Sequence, residues 1–195
     1  MARRTLEMDA STVKALAHPM RVQILRILRL RKKASVTSLA TELGETTGAT
    51  SYHLRQLARH GFVEEFDDSA PPEKRSGRRQ RWWRMAVDEL HTTGFGFMDD
   101  ADTREAFTFL LREDLDDRGR RLGNWFATAR EWPEEWQRAS SDMSGNLELD
   151  PIQTRALADE LAAVVARYRD VEPGPDTRIV DVQFAVFPTD TDARP

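Results

Sequence analysis

Short polar side chains and an arginine recur every four residues between positions 46 and 60. Thr47, Ser51 and Arg55 would share one face of a helix, because residues four apart are neighbours on a helix surface. Hydroxyl and guanidinium groups bind phosphate oxygens and base edges, and a glutamine pairs with adenine. The side chains that flank this stripe are Thr46, Gly48, Tyr52, Gln56 and Arg59. The pattern predicts a surface that contacts nucleic acid, with an ordinary solvated helix face as the alternative.

The opposite face of this segment is suited to packing, and a second helix is predicted just before it. The residues expected to face inward are Ala49, His53, Leu54 and Leu57. Upstream, Ser35 or Thr37 would cap a helix that carries Leu39 and Leu43, and Gly44 suits the left-handed position after a helix end. Two helices joined by a short glycine-containing turn predict a helix-turn-helix. Residues 9–17 and a segment that starts at His18 and Pro19 predict two earlier helices.

A hairpin with a basic tip is predicted directly after the helix pair. Residues 62–66 and 81–86 have the pattern of strands, and residues 67–80 between them are polar and rich in Pro, Gly and Arg. The cations in and beside this loop are Lys74, Arg75, Arg78, Arg79 and Arg81. A basic hairpin behind a helix-turn-helix is a wing, which suits contact with a DNA backbone or a minor groove.

Positive charge is concentrated in the first half of the chain. Residues 1–86 contain 17 Lys and Arg against 9 Asp and Glu, whereas residues 87–195 contain 12 against 24. The net charges of the two parts are therefore +8 and −12. This asymmetry favours a first half that meets a polyanion, with chance clustering of surface charge as the alternative.

The composition argues against several other classes of function. The 195 residues include no cysteine, which excludes disulfides, thiolate metal sites and cysteine nucleophiles. No apolar run reaches the ~18–20 residues that cross a bilayer, and the first residues lack an apolar signal core. We therefore expect a cytoplasmic protein with no membrane partner. Without a phosphate loop, nucleophile elbow or metal triad, we also expect no enzymatic activity and no cofactor.

The second half predicts long helices and one strand. Residues 103–132 and 151–170 carry apolar side chains at helical spacing. Residues 178–187 alternate as a strand does, and residues 146–149 or a second subunit would supply the partner that a strand needs. The domains expected are a DNA-binding domain over 1–90, a helical dimerisation or effector domain over 91–188 and a disordered tail over 189–195.

The aromatic residues of the second half have two interpretations. One is a packed core or dimer helix, and the other is a cavity for a small apolar or aromatic effector, because pockets between helices are lined by such side chains. The candidate pocket residues are Phe107, Leu111, Trp125, Phe126, Trp132 and Trp136.

Three stretches of the chain together resemble a known family. They cover about residues 10–86 and read LAHPMRVQILRIL, LATELGETTGATSYHLRQLARHGFVEE and GRRQRWWRM. In this order they resemble the ArsR-like winged helix-turn-helix transcriptional regulators of prokaryotes. The resemblance implies a homodimer that binds a palindromic operator and represses until an effector releases it. The recognition positions that it implies are Thr46, Thr47, Gly48, Ser51, Tyr52 and Arg55, with a wing over residues 62–85.

The chain departs from the metal-sensing members of that family. Those members use cysteines or arrays of His, Asp and Glu, whereas this chain has four histidines, His18, His53, His60 and His91. His18 and His53 lie within the fold motif, where helix-start packing and core hydrogen bonds account for them. We therefore expect no metal site.

The predicted fold class is mainly α with a small β component, that is, α+β. An amino-terminal winged helix-turn-helix would precede a mostly helical carboxy-terminal domain with one or two strands. The function predicted is a sequence-specific DNA-binding transcriptional regulator, and a winged-helix adaptor that binds proteins and has no operator is the alternative.

Overall fold

The computed structural model describes residues 4–66, 81–91, 94–169 and 171–189. The chain divides into two compact units, residues 1–120 and 121–195, so a long helix over Ala101–Thr128 contributes to both. The division at residue 90 made from the sequence concerns where the DNA-binding function ends, and it stays a prediction. Within the described ranges, no helix combines the length and the apolar character that crossing a bilayer requires.

Four helices form the first part of unit one, and each begins at a side chain that accepts from a free backbone amide. They are α1 (Ala10–Leu16), α2 (Pro19–Arg31), α3 (Val36–Leu43) and α4 (Thr47–Arg59). Asp9 and Ser35 cap α1 and α3 through reciprocal capping boxes, and Nδ1 of His18 accepts from the Met20 amide. Gly44 ends α3 in the left-handed region at φ 67°. The four helices predicted from the sequence are confirmed.

In the part of the chain that the structure describes, five short strands form two small sheets. The strands are β1 (Thr5–Glu7), β2 (Ala34–Ser35), β3 (Val63–Phe66), β4 (Trp82–Met85) and β5 (Glu89–His91). In the larger sheet, β4 lies between β2 and β3 and is antiparallel to both, with Phe66 opposite Trp82. In the smaller sheet, β1 runs parallel to β5. The two strands predicted for the wing are confirmed, whereas β1 and β5 were not predicted from the sequence.

One hydrophobic core joins the helices to the larger sheet. Its buried side chains come from all four helices and from the strands, and they include Leu16, Ile24, Leu28, Leu39, Leu54, Leu57, Phe62 and Trp83. Leu54, Leu57 and Phe62 have no exposed surface. The inward face predicted for α4 is confirmed at His53, Leu54 and Leu57, which are buried, while Ala49 is half-buried.

The long helix α5 (Ala101–Thr128) begins at an acidic cap. The carboxylate of Asp100 accepts from the Thr103 amide at 3.0 Å and from Nζ of Lys14, on α1, at 2.8 Å. These contacts lower the pKa of Asp100 to about 2, with the bond from Lys14 the largest cause and those from Thr103 next. Further along α5, Nε of Arg26 on α2 lies 3.6 Å from a carboxylate oxygen of Asp117, which is buried. The start of α5 is therefore fixed to the helices of unit one.

Unit two contains the end of α5 and two further helices, α6 (Glu134–Ala139) and α7 (Pro151–Arg169). The helix predicted over 103–132 ends as an α-helix at Thr128 and continues as a 3-10 turn over Ala129–Glu131. Pro133 follows, and it disfavours helical geometry at the residue before it. The helix predicted over 151–170 is confirmed over the range of α7.

The strand predicted over 178–187 is wrong for the single chain. These residues form no strand, and neither do residues 146–149, which were one of its two possible partners. On the alternating face, Val180, Val182 and Phe184 are 64%, 57% and 43% exposed, and Val186 is half-buried. A strand forms only where neighbouring backbone groups pair with it, and the described part of this chain offers none. Residues 190–195 of the predicted tail lie outside the described residues.

Candidate nucleic-acid interface

The helix-turn-helix consists of α3, a short turn and α4. Gly44 gives the turn its left-handed residue, and Thr46 Oγ1 then accepts from the Ala49 amide at 3.1 Å, which caps α4. The Thr50 hydroxyl donates to the Thr46 carbonyl at 3.0 Å and is buried. The first turn of α4 is thereby fixed by its own side chains, and the amides at its start form a local field that favours phosphate.

The face of α4 opposite the core is open to solvent. Thr46, Thr47, Gly48 and Arg55 are exposed, Tyr52 is 50% exposed, and Ser51 and Gln56 are half-buried. Within the described part of the chain, Arg55 has no hydrogen-bond or ion-pair partner. The structure therefore places the predicted recognition residues on one side of α4, with a free guanidinium at its middle. That these residues bind DNA stays a prediction.

Two histidines and an arginine hold α4 against the start of α2. The His53 and His18 rings lie 4.4 Å apart between centroids, and Nε of Arg21 donates to Nδ1 of His53 at 3.4 Å. His18 also caps α2, so one ring supports both helices. Burial lowers the pKa of His53 below its ordinary value, and His18 and then Arg21 lower it further by charge repulsion. This side chain is therefore a neutral acceptor within the helix pair.

Acid should destabilise unit one through His53. The folded state keeps this ring neutral, whereas the unfolded chain takes up a proton at the ordinary pKa of about 6.5. The stabilisation is therefore complete above about pH 6.5 and is lost as the pH falls through the lowered pKa of His53 in the folded state. We expect urea midpoints between pH 7 and 5 to fall for the native sequence and to fall less for His53→Gln. His60→Gln should keep the native slope, and equal slopes in all three proteins would contradict the assignment to His53.

The base of the wing is held by ion pairs to β3. The two guanidinium nitrogens of Arg4 lie 2.9 and 3.1 Å from the carboxylate oxygens of Glu64, and Nε of Arg84 lies 2.7 Å away. The bond from Arg4 is the largest cause of a lowered pKa at Glu64, and Arg84 lowers it as well. Arg4 immediately precedes β1, so these pairs and the β1–β5 ladder link the amino terminus to the wing. Sequence reasoning missed this link, because an isolated arginine gives no signal of a partner 60 residues away.

The predicted cations of the wing are only partly described. Nε of Arg81 lies 3.5 Å from a carboxylate oxygen of Glu65, and 64% of the Arg81 side chain is exposed. Arg75, Arg78 and Arg79 lie outside the described residues, as does Lys74.

The six predicted effector residues are divided between the two units. In unit one, the Phe107 ring lies 5.3 Å from that of Phe97, and Leu111 is 45% exposed. In unit two, Trp125 and Phe126 line a depression, and the Trp132 ring lies edge-on to Trp125 at 5.9 Å. Trp136 is half-buried on α6. Among the described residues, no three His, Asp or Glu side chains converge as a metal site would require.

Comparison with known families finds a match that lies within the first unit. The family described as a helix-turn-helix domain matches residues 16–65, which run from the end of α1 to β3. A search of curated proteins finds no match to the sequence.

Three solved structures illustrate the likeness. HlyU from Vibrio cholerae N16961 is 28% identical over 40% of this chain and 72% of its own, with a TM-score of 0.32. The homodimeric winged helix-turn-helix domain of Mb0332 from Mycobacterium bovis, a possible ArsR-family transcriptional regulator, is 25% identical over 56% and 79%, with a TM-score of 0.34. A transcriptional regulator homologue from Pyrococcus horikoshii OT3 is 26% identical over 53% and 87%, with a TM-score of 0.34.

The first unit is a winged helix-turn-helix, the module with which many transcriptional regulators bind DNA. The matched residues contain both helices of the motif, and the antiparallel pair of β3 and β4 follows them as the wing. The family match confirms the helix-turn-helix predicted from the sequence, and such a domain is typical of a DNA-binding transcriptional regulator.

Proposed function

We propose that the protein reads a specific duplex sequence by placing α4 in the major groove. The observation that carries this proposal is the outer face of α4, where an unpaired Arg55 lies among short hydroxyl side chains. An α-helix fits the major groove, and the small side chains at the start of α4 allow close approach. Arg55 would bind guanine or phosphate, and Gln56 would bind adenine. The wing would lie along the backbone or in the minor groove.

We propose that the active form is a homodimer on a palindromic operator. Two copies of α4 related by a two-fold axis would read half-sites about one helical turn apart, roughly 34 Å. None of the described residues of unit two is buried, which supports packing of this unit against a second copy of the chain. Ordering a chain costs about 1–2 kcal/mol per residue, which burial of apolar surface must offset. Pairing of residues 178–187 between two copies would give that segment the partner it lacks.

We propose that the protein represses transcription and that an effector bound in unit two releases it. The aromatic depression at Trp125 and Phe126 supports an effector site there. Coupling requires only that the effector bind the DNA-free form of the dimer more tightly than the bound form. DNA must then lower the affinity for the effector by the same factor.

The proposal is tested by fluorescence anisotropy with duplexes from the DNA that flanks the protein's own gene. We expect one duplex to bind tightly as a two-to-one complex, and a scrambled duplex of equal length to bind at least a thousandfold more weakly (~4 kcal/mol). Light scattering should give twice the mass of one chain. Binding that is equally weak on every duplex, including a random library, would instead favour the protein-binding adaptor.

The basic residues of the wing should set the salt dependence. Replacing Arg78 and Arg79 with alanine removes two cations, which would otherwise release counterions from the phosphates. The proposed dimer loses two cations from each copy, four in all, so the slope of log K against log salt should become shallower by about 3–4 on any duplex. Arg155→Ala, an exposed arginine of unit two, is the control and should leave the slope as it is. An unchanged slope in the double variant would remove these two residues from the interface.

A further inference from the structure

Unit two has a depression of about 290 Å³ between the end of α5 and the residues that follow α6. Its apolar part is formed by Trp125 and Phe126, and its polar part by Gln137, Ser140, Ser141 and Asp142. The edge-on contact of Trp132 supports the Trp125 ring from one side. The volume is near the lower end of the range for small-molecule sites, so the ligand it takes must be small.

Gln137 and Ser140 on the polar side each use one donor within the protein. Nε2 of Gln137 donates to the Trp132 carbonyl at 2.7 Å, and the Ser140 hydroxyl donates its one hydrogen to the Trp136 carbonyl at 2.8 Å. What remains on these two side chains is one amide N–H, an amide oxygen and hydroxyl lone pairs. Asp142 adds a carboxylate, which only accepts, whereas Ser141 both donates and accepts. The depression therefore offers mainly acceptors, which a hydrogen-bond donor would satisfy.

The electrostatics of the site favour a positive ligand. No lysine, arginine or histidine is among the described residues that line it. Residues 121–195 contain 8 Arg and 14 Asp or Glu, a net charge of −6. A cation placed over an indole or phenyl face is attracted by the ring itself. A bare metal ion would make no apolar contact with these two rings. An anion would be repelled by the Asp142 carboxylate.

We infer that this depression binds a small organic cation, with an ammonium head near Asp142 and an apolar body against Trp125 and Phe126. The inference deepens the proposed function, on which it rests, because it gives the chemical class of the effector. The sequence alone predicted an apolar or aromatic effector. The free acceptors of the depression further indicate that this effector is positively charged.

The test compares two probes of the same shape on the full chain. Benzylammonium carries the charge and three N–H donors, and ethylbenzene replaces its ammonium nitrogen with a methyl carbon. By equilibrium dialysis we expect the cation to bind about tenfold more tightly, from an exposed ion pair and a cation–π contact together. Benzoate should not compete with it.

Two variants and a control assign the binding to the depression. Asp142→Asn should weaken binding of the cation by about fivefold and leave binding of ethylbenzene unchanged. Phe126→Leu, at a side chain that is 59% exposed, should weaken the cation by about threefold. Asp176→Asn, at another exposed acid of unit two, should have no effect.

Equal affinity for the two probes, or equal effects of Asp142→Asn and Asp176→Asn, would overturn the inference. Anisotropy on the operator, measured separately with and without the cation, distinguishes this failure from failure of the proposed function. Operator binding without cation binding would support the proposed regulator function and contradict the proposed cation site. Cation binding without operator binding would support the cation site and contradict the proposed regulator function.

Discussion

Replacing Phe62 with alanine should lower the free energy of unfolding of unit one by about 3–5 kcal/mol. The side chain has no exposed surface and packs in the core formed by the helices and the larger sheet. Its backbone joins two elements, because its amide donates to the Leu57 carbonyl at 3.0 Å and its carbonyl accepts from the Ala86 amide at 2.9 Å. The surrounding main chain cannot collapse fully into the space left, so a cavity adds to the loss of burial.

Amide hydrogen exchange in α2 and α4 is the appropriate measurement, because it reports unit one separately from unit two. The matched control is Phe95→Ala, at a phenylalanine of the same unit that is 65% exposed. It should change protection in these helices by less than about 0.5 kcal/mol. Equal losses from the two substitutions would mean that Phe62 is not part of the core that supports α4.

The helices of unit one were predictable because their signals are local. Asp9, Ser35 and Gly44 act within three or four residues of their position, and the apolar spacing of α4 reports which face is buried. The outer face of α4 followed from the same spacing. Its finer detail did not, since Ser51 and Gln56 are half-buried by neighbours that the sequence does not place next to them.

Contacts between distant residues could not be predicted. The parallel pairing of β1 with β5, and the bonds from Lys14 to Asp100, connect residues more than 80 positions apart. Each involves three residues or fewer on one side, too short for a periodic pattern. The division of the six aromatic and apolar candidates between the two units has the same cause, because spacing along one helix gives a face but not the neighbours of that face.

For residues 178–187 the sequence predicted a strand that the structure does not contain. Their alternation is real and gives two distinct faces, but alternation describes only the side chains. A strand also needs a neighbouring backbone with free amides and carbonyls, and none is present in the described part of one chain. The pattern therefore reports a capacity to pair, which the proposed dimer would use.

Arg55→Ala should weaken operator binding by about 1–3 kcal/mol for each half-site if its guanidinium binds a guanine through two hydrogen bonds. The residue lies at the middle of the exposed face of α4 and has no partner in the described part of the chain, so alanine should leave the helix intact. Arg55→Lys keeps the charge but not the two parallel bonds, and should recover little of the loss.

Anisotropy with the operator and with single-base variants of each half-site measures whether the loss is specific. For a base contact, Arg55→Ala should remove the preference at one position, whereas Arg155→Ala, at an exposed arginine paired with Asp159 in unit two, should change nothing. Equal weakening on every sequence would assign Arg55 to a phosphate, because a phosphate contact carries no sequence information. Full operator affinity in Arg55→Ala would mean that the outer face of α4 does not contact DNA. The proposed orientation of the recognition helix would then be wrong.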